Sequence, residues 1–142
     1  MQDAEMLQWI KKAYEHSEYT VTVCSGSLIL AATGVLRGRK ATTIYLAQDV
    51  LEQLGAIYVA QHCVEDGKVI TAAGTSGGVE AGLRLVEKLA GRPFAEAVQL
   101  ATEYDPQPIF GTGDATKAPS HVQSLVRELL QDDTDMQMVL QP

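Results

Sequence analysis

Apolar residues recur at intervals of three and four in several parts of the chain, the spacing that places them on one face of a helix. Helices are predicted over residues 4–17, 28–36, 47–54, 76–90, 93–102 and from Ser120 onward. Asp3 is positioned to cap the first helix, and Gly55 and Gly91 to end the third and fourth. The face of the first helix expected to contact the core consists of Met6, Ile10, Ala13 and Tyr14.

Runs of β-branched and apolar residues predict strands at residues 19–23, 40–45, 56–64 and 68–73. The last two flank Asp66-Gly67, a turn sequence compatible with a hairpin. Residues 104–118 form a long irregular connection, expected at a surface or rim. Strands that alternate with helices predict an α/β sandwich. We expect one domain over residues 1–142, in which residues 120–142 are a C-terminal helix and an acidic and apolar tail.

Composition and charge exclude several classes of protein. The 142 residues are 46% hydrophobic and 20% charged, with a net charge of −7, so disorder and nucleic-acid binding are not expected. The longest apolar stretch, residues 28–32, is too short to cross a membrane, and no secretory signal is recognisable. A cytoplasmic location is the default expectation. Two cysteines far apart predict neither a disulfide framework nor a zinc site, and no motif indicates a cofactor or metal.

The chemically informative residue is Cys24, which stands between a β-branched strand and an apolar helix. A sharp turn there would expose its thiol at a helix N-terminus, where a thiolate is favoured. The backbone N–H of Ser25 would face negative charge that develops on a substrate, and Gly26 would allow close approach. The alternative is a buried cysteine that only fills space. The residues alone leave both open.

Three stretches of the chain, residues 21–43, 66–78 and 103–108, resemble the DJ-1/PfpI superfamily, and the third resembles its isonitrile hydratase branch. The resemblance implies a three-layer, mainly parallel sandwich of the flavodoxin-like or class I glutamine amidotransferase-like type. It also implies that Cys24 is the nucleophile and Ser25 the hydroxyl residue beside it. The pocket and its oxyanion amides then fall on Gly26, Thr43, Ile44, Gly74 and Thr75.

The chain departs from the family pattern at two places. Ile44 stands where a histidine often follows the Ala-Thr-Thr stretch, so a Cys-His pair at this position is lost. The family also carries a block of strands and helices before the segment that matches residues 1–17, and it supplies an acidic residue to the cysteine. We therefore expect a truncated copy of the fold, or a wall supplied by another chain. A homodimer or other homo-oligomer would cover the open edge, with Met136, Met138 and Leu140 as candidate contacts.

Two functions from different classes follow. The first is an isonitrile hydratase-like lyase in which Cys24 attacks a small-molecule substrate. The second is a non-catalytic interaction or redox-sensing module in which Cys24 is an oxidisable thiol. A glyoxalase-like or amidase-like activity is disfavoured by Ile44. His62 and Cys63 are adjacent in a predicted strand and point to opposite faces, so little function is expected there. The glycines of residues 74–78 are expected to serve close packing near the cysteine.

Overall fold

The structure is a computed structural model that describes residues 3–130. The α-helices are α1 Ala4–His16, α2 Gly26–Ala32, α3 Gln48–Gln53, α4 Thr75–Ala90, α5 Arg92–Ala101 and α6 Ser120–Leu130. The strands are β1 Thr20–Val23, β2 Lys40–Ala41, β3 Ile57–Tyr58, β4 Cys63–Asp66 and β5 Val69–Ala72, and a 3-10 turn at Tyr45–Ala47 precedes α3. The predicted tail contacts at Met136, Met138 and Leu140 lie outside the described residues.

The main sheet has the strand order β1-β5-β4. β1 and β5 are parallel, with Val23 opposite Ala72, and β4 and β5 are antiparallel, with Cys63 opposite the same residue. The predicted hairpin at Asp66-Gly67 is confirmed, and Gly67 has the positive φ of 62° that its turn needs. The three strands therefore bring Val23, Ala72 and Cys63 into one row, and the chain leaves β1 and β5 at the same edge.

Two predicted strands are much shorter in the structure, and part of them forms a second sheet. The strand expected at 40–45 is only Lys40–Ala41, because the Thr42 backbone N–H donates to the Thr71 side chain at 2.9 Å instead of continuing a ladder. The strand expected at 56–64 is interrupted by a turn in which Gln61 N–H donates to the Val59 carbonyl. Its first part, β3, pairs in parallel with β2.

The helix predicted over residues 28–36 ends at Ala32. The Thr33 hydroxyl donates to the Leu30 carbonyl at 2.6 Å, and Gly34 has a φ of +82° that turns the chain away. The expected burial of this segment is confirmed, since Leu28, Leu30 and Leu36 are almost fully enclosed.

The apolar core lies on both sides of β5, which is buried along its whole length. One cluster includes Leu28, Leu36, Leu51 and Val69, and a second includes Ile70, Ala72 and Ala81 between the sheet and α4. Burial of large aliphatic side chains supplies most of the stabilising free energy in a domain of this size. The buried β5 therefore holds β1, and the residue that follows β1, in a fixed position.

The first helix packs on the core through only half of its predicted face. Asp3 caps α1 as predicted, and Ile10 and Tyr14 pack against the first cluster. Met6 and Ala13 were wrong as core residues, since both are exposed while Ile10 and Tyr14 contact the core. Met6 is 54% exposed and Trp9 is 68% exposed. Association with a second copy stays a prediction, and this apolar surface is available for it.

Among residues 3–130 there is no helix with both the length and the apolar character needed to span a bilayer.

The start of α4 packs tightly against the sheet edge, as predicted, at Gly77 and Gly78, whereas Gly74 has open space where its Cβ would be. A Cβ atom on Gly77 would lie 2.6 Å from the His62 carbonyl oxygen, and one on Gly78 would lie 3.1 Å from Val23 Cγ1. Only glycine allows the helix this close to the backbone that follows β3. Gly82, in the same helix, has open space where its Cβ would be.

We therefore expect Gly77→Ala to lower the free energy of unfolding by about 1–3 kcal/mol, because backbone must move to accommodate the methyl group. Gly82→Ala is the matched control and should raise it by up to about 1 kcal/mol through helix propensity. Urea unfolding followed by circular dichroism measures both. Equal effects of the two substitutions would contradict the close packing at Gly77.

Candidate functional site

Cys24 adopts a left-handed backbone conformation, with a φ of +57°. Glu103 is the other non-glycine residue of the described chain with a positive φ. Such a conformation costs about 1–3 kcal/mol and persists only where the surroundings impose it. At Cys24 this occurs between the end of β1 and the start of α2, which is the strand, sharp turn and helix that the sequence predicts.

Two hydrogen bonds hold Cys24 in this conformation. Its N–H donates to the Ala72 carbonyl at 2.9 Å, and its carbonyl accepts from Thr43 Oγ1 at 2.9 Å. The first bond continues the β1–β5 ladder by one residue, and the second ties the turn to the segment that follows β2. The side chain is only partly buried. The left-handed backbone, rather than the degree of burial, is what distinguishes Cys24 from Cys63, and its role as a nucleophile stays a prediction.

The residues after Cys24 begin α2. Ser25 is the N-cap residue, its side chain makes no capping hydrogen bond, and its carbonyl accepts from the Leu28 N–H at 3.0 Å. A Cβ on Gly26 would reach Thr22 Cβ at an ordinary 3.8 Å, so packing within the chain does not require glycine there. The roles of Ser25 and Gly26 toward a substrate stay predictions.

Hydroxyl groups beneath the turn form a buried polar layer that sequence reasoning missed, apart from Thr43. Thr22 and Ser27 share a hydrogen bond of 2.8 Å, and Thr71 Oγ1 accepts from the Thr42 N–H. The Thr42 hydroxyl is buried and has no hydrogen-bond partner within the described part of the chain. The signal in the sequence is the alternation of threonine and valine in β1, together with Thr71 in β5. It was interpreted only as strand propensity.

A cavity of about 180 Å³ opens at the sheet edge beside this turn. Its wall includes the predicted site residues Thr43, Ile44 and Gly74, whereas Thr75 lies outside it at the start of α4. Cys24 is not part of the wall. It adjoins the wall through its hydrogen bond with Thr43 and through Ala73, the residue after its other partner. The structure thus brings Thr43, Ile44 and Gly74 together in one cavity wall. Cys24 lies next to this wall and is bonded to Thr43.

The long connection after α5 supplies the opposite side of the cavity through residues 113–116, which confirms its predicted place at a rim. The Asp114 carboxylate accepts from the Thr116 N–H at 2.9 Å and from Lys117 Nζ at 2.8 Å. Together with the Thr116 hydroxyl, these donors hold the pKa of Asp114 well below its usual range. Gln123 of α6 donates to the Ala115 carbonyl at 3.1 Å, so the rim is anchored from both sides.

His62 also lines the cavity, and sequence reasoning gave it little weight. Its Nδ1 lies 3.4 Å from Glu80 Oε1 of α4, and its carbonyl accepts from the Ala73 N–H at 2.9 Å. The register of the predicted hairpin is the signal from which the position of His62 could have been inferred. Because Cys63 is opposite Ala72, the preceding residue must lie at the edge of the sheet where β1 and β5 end.

Cys63, by contrast, is a structural residue. It packs against the cluster of Ile70, Ala72 and Ala81. Burial raises the pKa of its thiol, because the charged thiolate is less well solvated there. The sequence expectation that His62 and Cys63 do not act together is consistent with their different surroundings.

The comparisons with known proteins agree with this geometry. A model of the DJ-1/PfpI family matches residues 1–88. The chain is 40% identical over 122 residues to an isonitrile hydratase of Pseudomonas putida, which covers 86% of this chain and 54% of that protein. It is 31% identical over 101 residues to an HTH-type transcriptional regulator of Pseudomonas aeruginosa, which covers 70% of this chain and 30% of the regulator.

The fold has a solved counterpart in a THiJ/PfpI family protein from Pseudomonas syringae. The TM-score is 0.83 at 41% identity, over 90% of this chain and 53% of that one. The predicted α/β fold is thereby confirmed. The chain spans about half the length of the hydratase and of the solved protein, 54% and 53% respectively.

The two thiols should differ in their reaction with hydrogen peroxide. We expect sulfenic acid to form faster on Cys24 than on Cys63, because burial raises the pKa of the Cys63 thiol and the thiolate is the form that reacts with peroxide. Trapping with dimedone followed by peptide mass spectrometry measures the two rates, with Cys24→Ala and Cys63→Ala as matched controls. Equal rates at the two positions would contradict the assignment of Cys24 as the reactive thiol.

Proposed function

Because this chain belongs to the DJ-1/PfpI family, we propose that its site performs isonitrile hydration through Cys24. The observation that carries the proposal is the left-handed Cys24 at the junction of β1 and α2, directly beside a cavity. The similarity to an isonitrile hydratase supports the choice of reaction, because that relative covers most of this chain. In this reaction water adds to R–N≡C and yields R–NH–CHO. This is the reaction of a carbon–nitrogen lyase in the direction of addition.

The reaction proceeds in two steps. In the first, the Cys24 sulfur forms a bond to the terminal carbon of the isonitrile, and the thiol proton ends on that carbon, which gives the thioimidate R–N=CH–S–Cys24. In the second, water adds to the same carbon and the C–S bond breaks. The nitrogen retains one proton from water, the sulfur regains the other, and the formamide is released.

The residues beside Cys24 suit the first step. The Ser25 hydroxyl follows the nucleophile and is not engaged in capping, so it can relay the proton. The backbone N–H groups that begin α2 follow the nucleophile directly, and in this mechanism they stabilise the negative charge that develops as sulfur attacks. Ile44 lines the cavity but is apolar, so it contributes shape and not proton transfer.

Oxidation sensing is a second candidate, and two observations favour it. The Cys24 thiol is partly exposed, and the chain is similar over most of its length to a transcriptional regulator. In that case the peroxide reaction of Cys24 would be observed without any hydratase product. The two functions are thus separated by the formamide assay below.

We expect the purified protein to convert cyclohexyl isocyanide into N-cyclohexylformamide. Cys24→Ala should abolish this activity, and Ser25→Ala should lower it about a hundredfold to ten-thousandfold, the range for loss of a proton-transfer group. Cys63→Ala is the matched control and should retain it. Gas chromatography of the product measures all four proteins.

Two results would overturn the proposal in different ways. Product formation that survives Cys24→Ala would reject the nucleophile. No product from the unsubstituted protein, together with oxidation of Cys24 by peroxide, would instead favour the sensing function.

A further inference from the structure

His62 and Cys24 lie in one row across the main sheet. Val23, Ala72 and Cys63 are paired across β1, β5 and β4, and the next residue in each direction continues this row as Cys24, Ala73 and His62. Two strand spacings separate the outer members of the row, which is about 10 Å. Among the described residues no hydrogen bond joins the His62 ring to the Cys24 thiol, and the ring instead contacts Glu80 through Nδ1. A substrate bonded to the sulfur would extend over Ala73 toward the histidine.

The contact with Glu80 determines which nitrogen of His62 is available. Nδ1 lies 3.4 Å from the Glu80 carboxylate, so in the neutral ring the proton is favoured on Nδ1 and Nε2 is the proton acceptor. The carboxylate also stabilises the imidazolium that forms when Nε2 takes a proton, as the acidic member of a catalytic triad does. His62 forms part of the cavity wall together with Thr43, the residue that holds the Cys24 carbonyl.

Glu80 and Tyr104 both line a second cavity. Burial raises the pKa of the Tyr104 hydroxyl, and the neighbouring Glu80 carboxylate raises it further. The other titratable groups along the wall that contains His62 are Tyr45, Tyr58 and Asp114, and the last of these is paired with Lys117. His62 is the histidine of that wall, and its contact with Glu80 makes it the candidate proton acceptor.

We propose that His62, oriented by Glu80, is the proton acceptor that activates water in the second step of the proposed reaction. Water adds to the carbon of R–N=CH–S–Cys24 while His62 Nε2 removes one of its protons. The nitrogen of the substrate takes the second proton of that water from the added hydroxyl, the C–S bond breaks as the C=O bond forms, and the proton on His62 passes to the sulfur. This assignment rests on the proposed function. It places proton transfer on His62 and not on position 44, where the family often has histidine and this chain has isoleucine.

The experiment follows the covalent intermediate directly. Protein is mixed with cyclohexyl isocyanide, and samples are quenched with acid at intervals. Intact-protein mass spectrometry then measures the fraction of protein that carries the adduct. In the unsubstituted protein the adduct should be short-lived. In His62→Gln it should accumulate on Cys24, and formamide release should slow by about a hundredfold to ten-thousandfold. Free imidazole in the buffer should restore part of the rate to His62→Ala, which a merely structural role would not allow.

Two further proteins complete the design. Cys24→Ala should form no adduct, which identifies the site of attachment. Glu80→Gln should lengthen the adduct lifetime by less than His62→Gln does, because it removes the orienting charge and leaves the ring in place. The His62 side chain is 58% exposed, so these variants should fold, and urea unfolding checks this.

The failure of this inference is distinct from the failure of the proposed function. An adduct that hydrolyses equally fast in the unsubstituted protein and in His62→Gln would overturn the role of His62 and leave Cys24 as the nucleophile. Neither adduct nor formamide in the unsubstituted protein would overturn the proposed function, and this inference with it.

Discussion

The left-handed backbone at Cys24 is the constraint on which the site depends. A cysteine gains nothing from this conformation by itself, and the cost must be offset by the bonds to Ala72 and Thr43 and by the burial of β5. The Ala72 bond extends the parallel ladder, and the Thr43 bond requires that β2 end early. β2 ends at Ala41, and Thr43 then supports the turn through its hydrogen bond to the Cys24 carbonyl. The short length of β2 and the conformation of Cys24 are therefore linked.

The cavity is a consequence of the same arrangement. Because β1 and β5 end at one edge and β4 begins there, the residues just beyond the row of Val23, Ala72 and Cys63 surround a small space. The glycines at the start of α4 let that helix approach the His62 backbone, and the segment at 113–116 covers the remaining side. The fold thus places the His62 imidazole in the wall of a small cavity and Cys24 next to that wall, through its hydrogen bond with Thr43.

Local sequence was sufficient for much of this structure. The caps at Asp3 and Gly91, the hairpin at Asp66-Gly67 and the turn at Cys24 each depend on residues close together in the chain, and all four were predicted. Thr42 was placed in a strand because its β-branched side chain favours one, yet its backbone bonds to a threonine that is 29 positions away. No local pattern contains that information. His62 was overlooked for a related reason, because its importance arises from strand register and from a contact with a different helix.

The most direct test of the account compares glycine with alanine at each cysteine, using the free energy of unfolding in urea. Glycine adopts a positive φ without strain, so Cys24→Gly should be more stable than Cys24→Ala by about 1 kcal/mol. Cys63 begins an ordinary strand, so Cys63→Gly should be less stable than Cys63→Ala by about 0.5–1 kcal/mol. This reversal of sign is the predicted result. If alanine were the more stable substitution at both positions, Cys24 would not have the strained conformation on which the site is built.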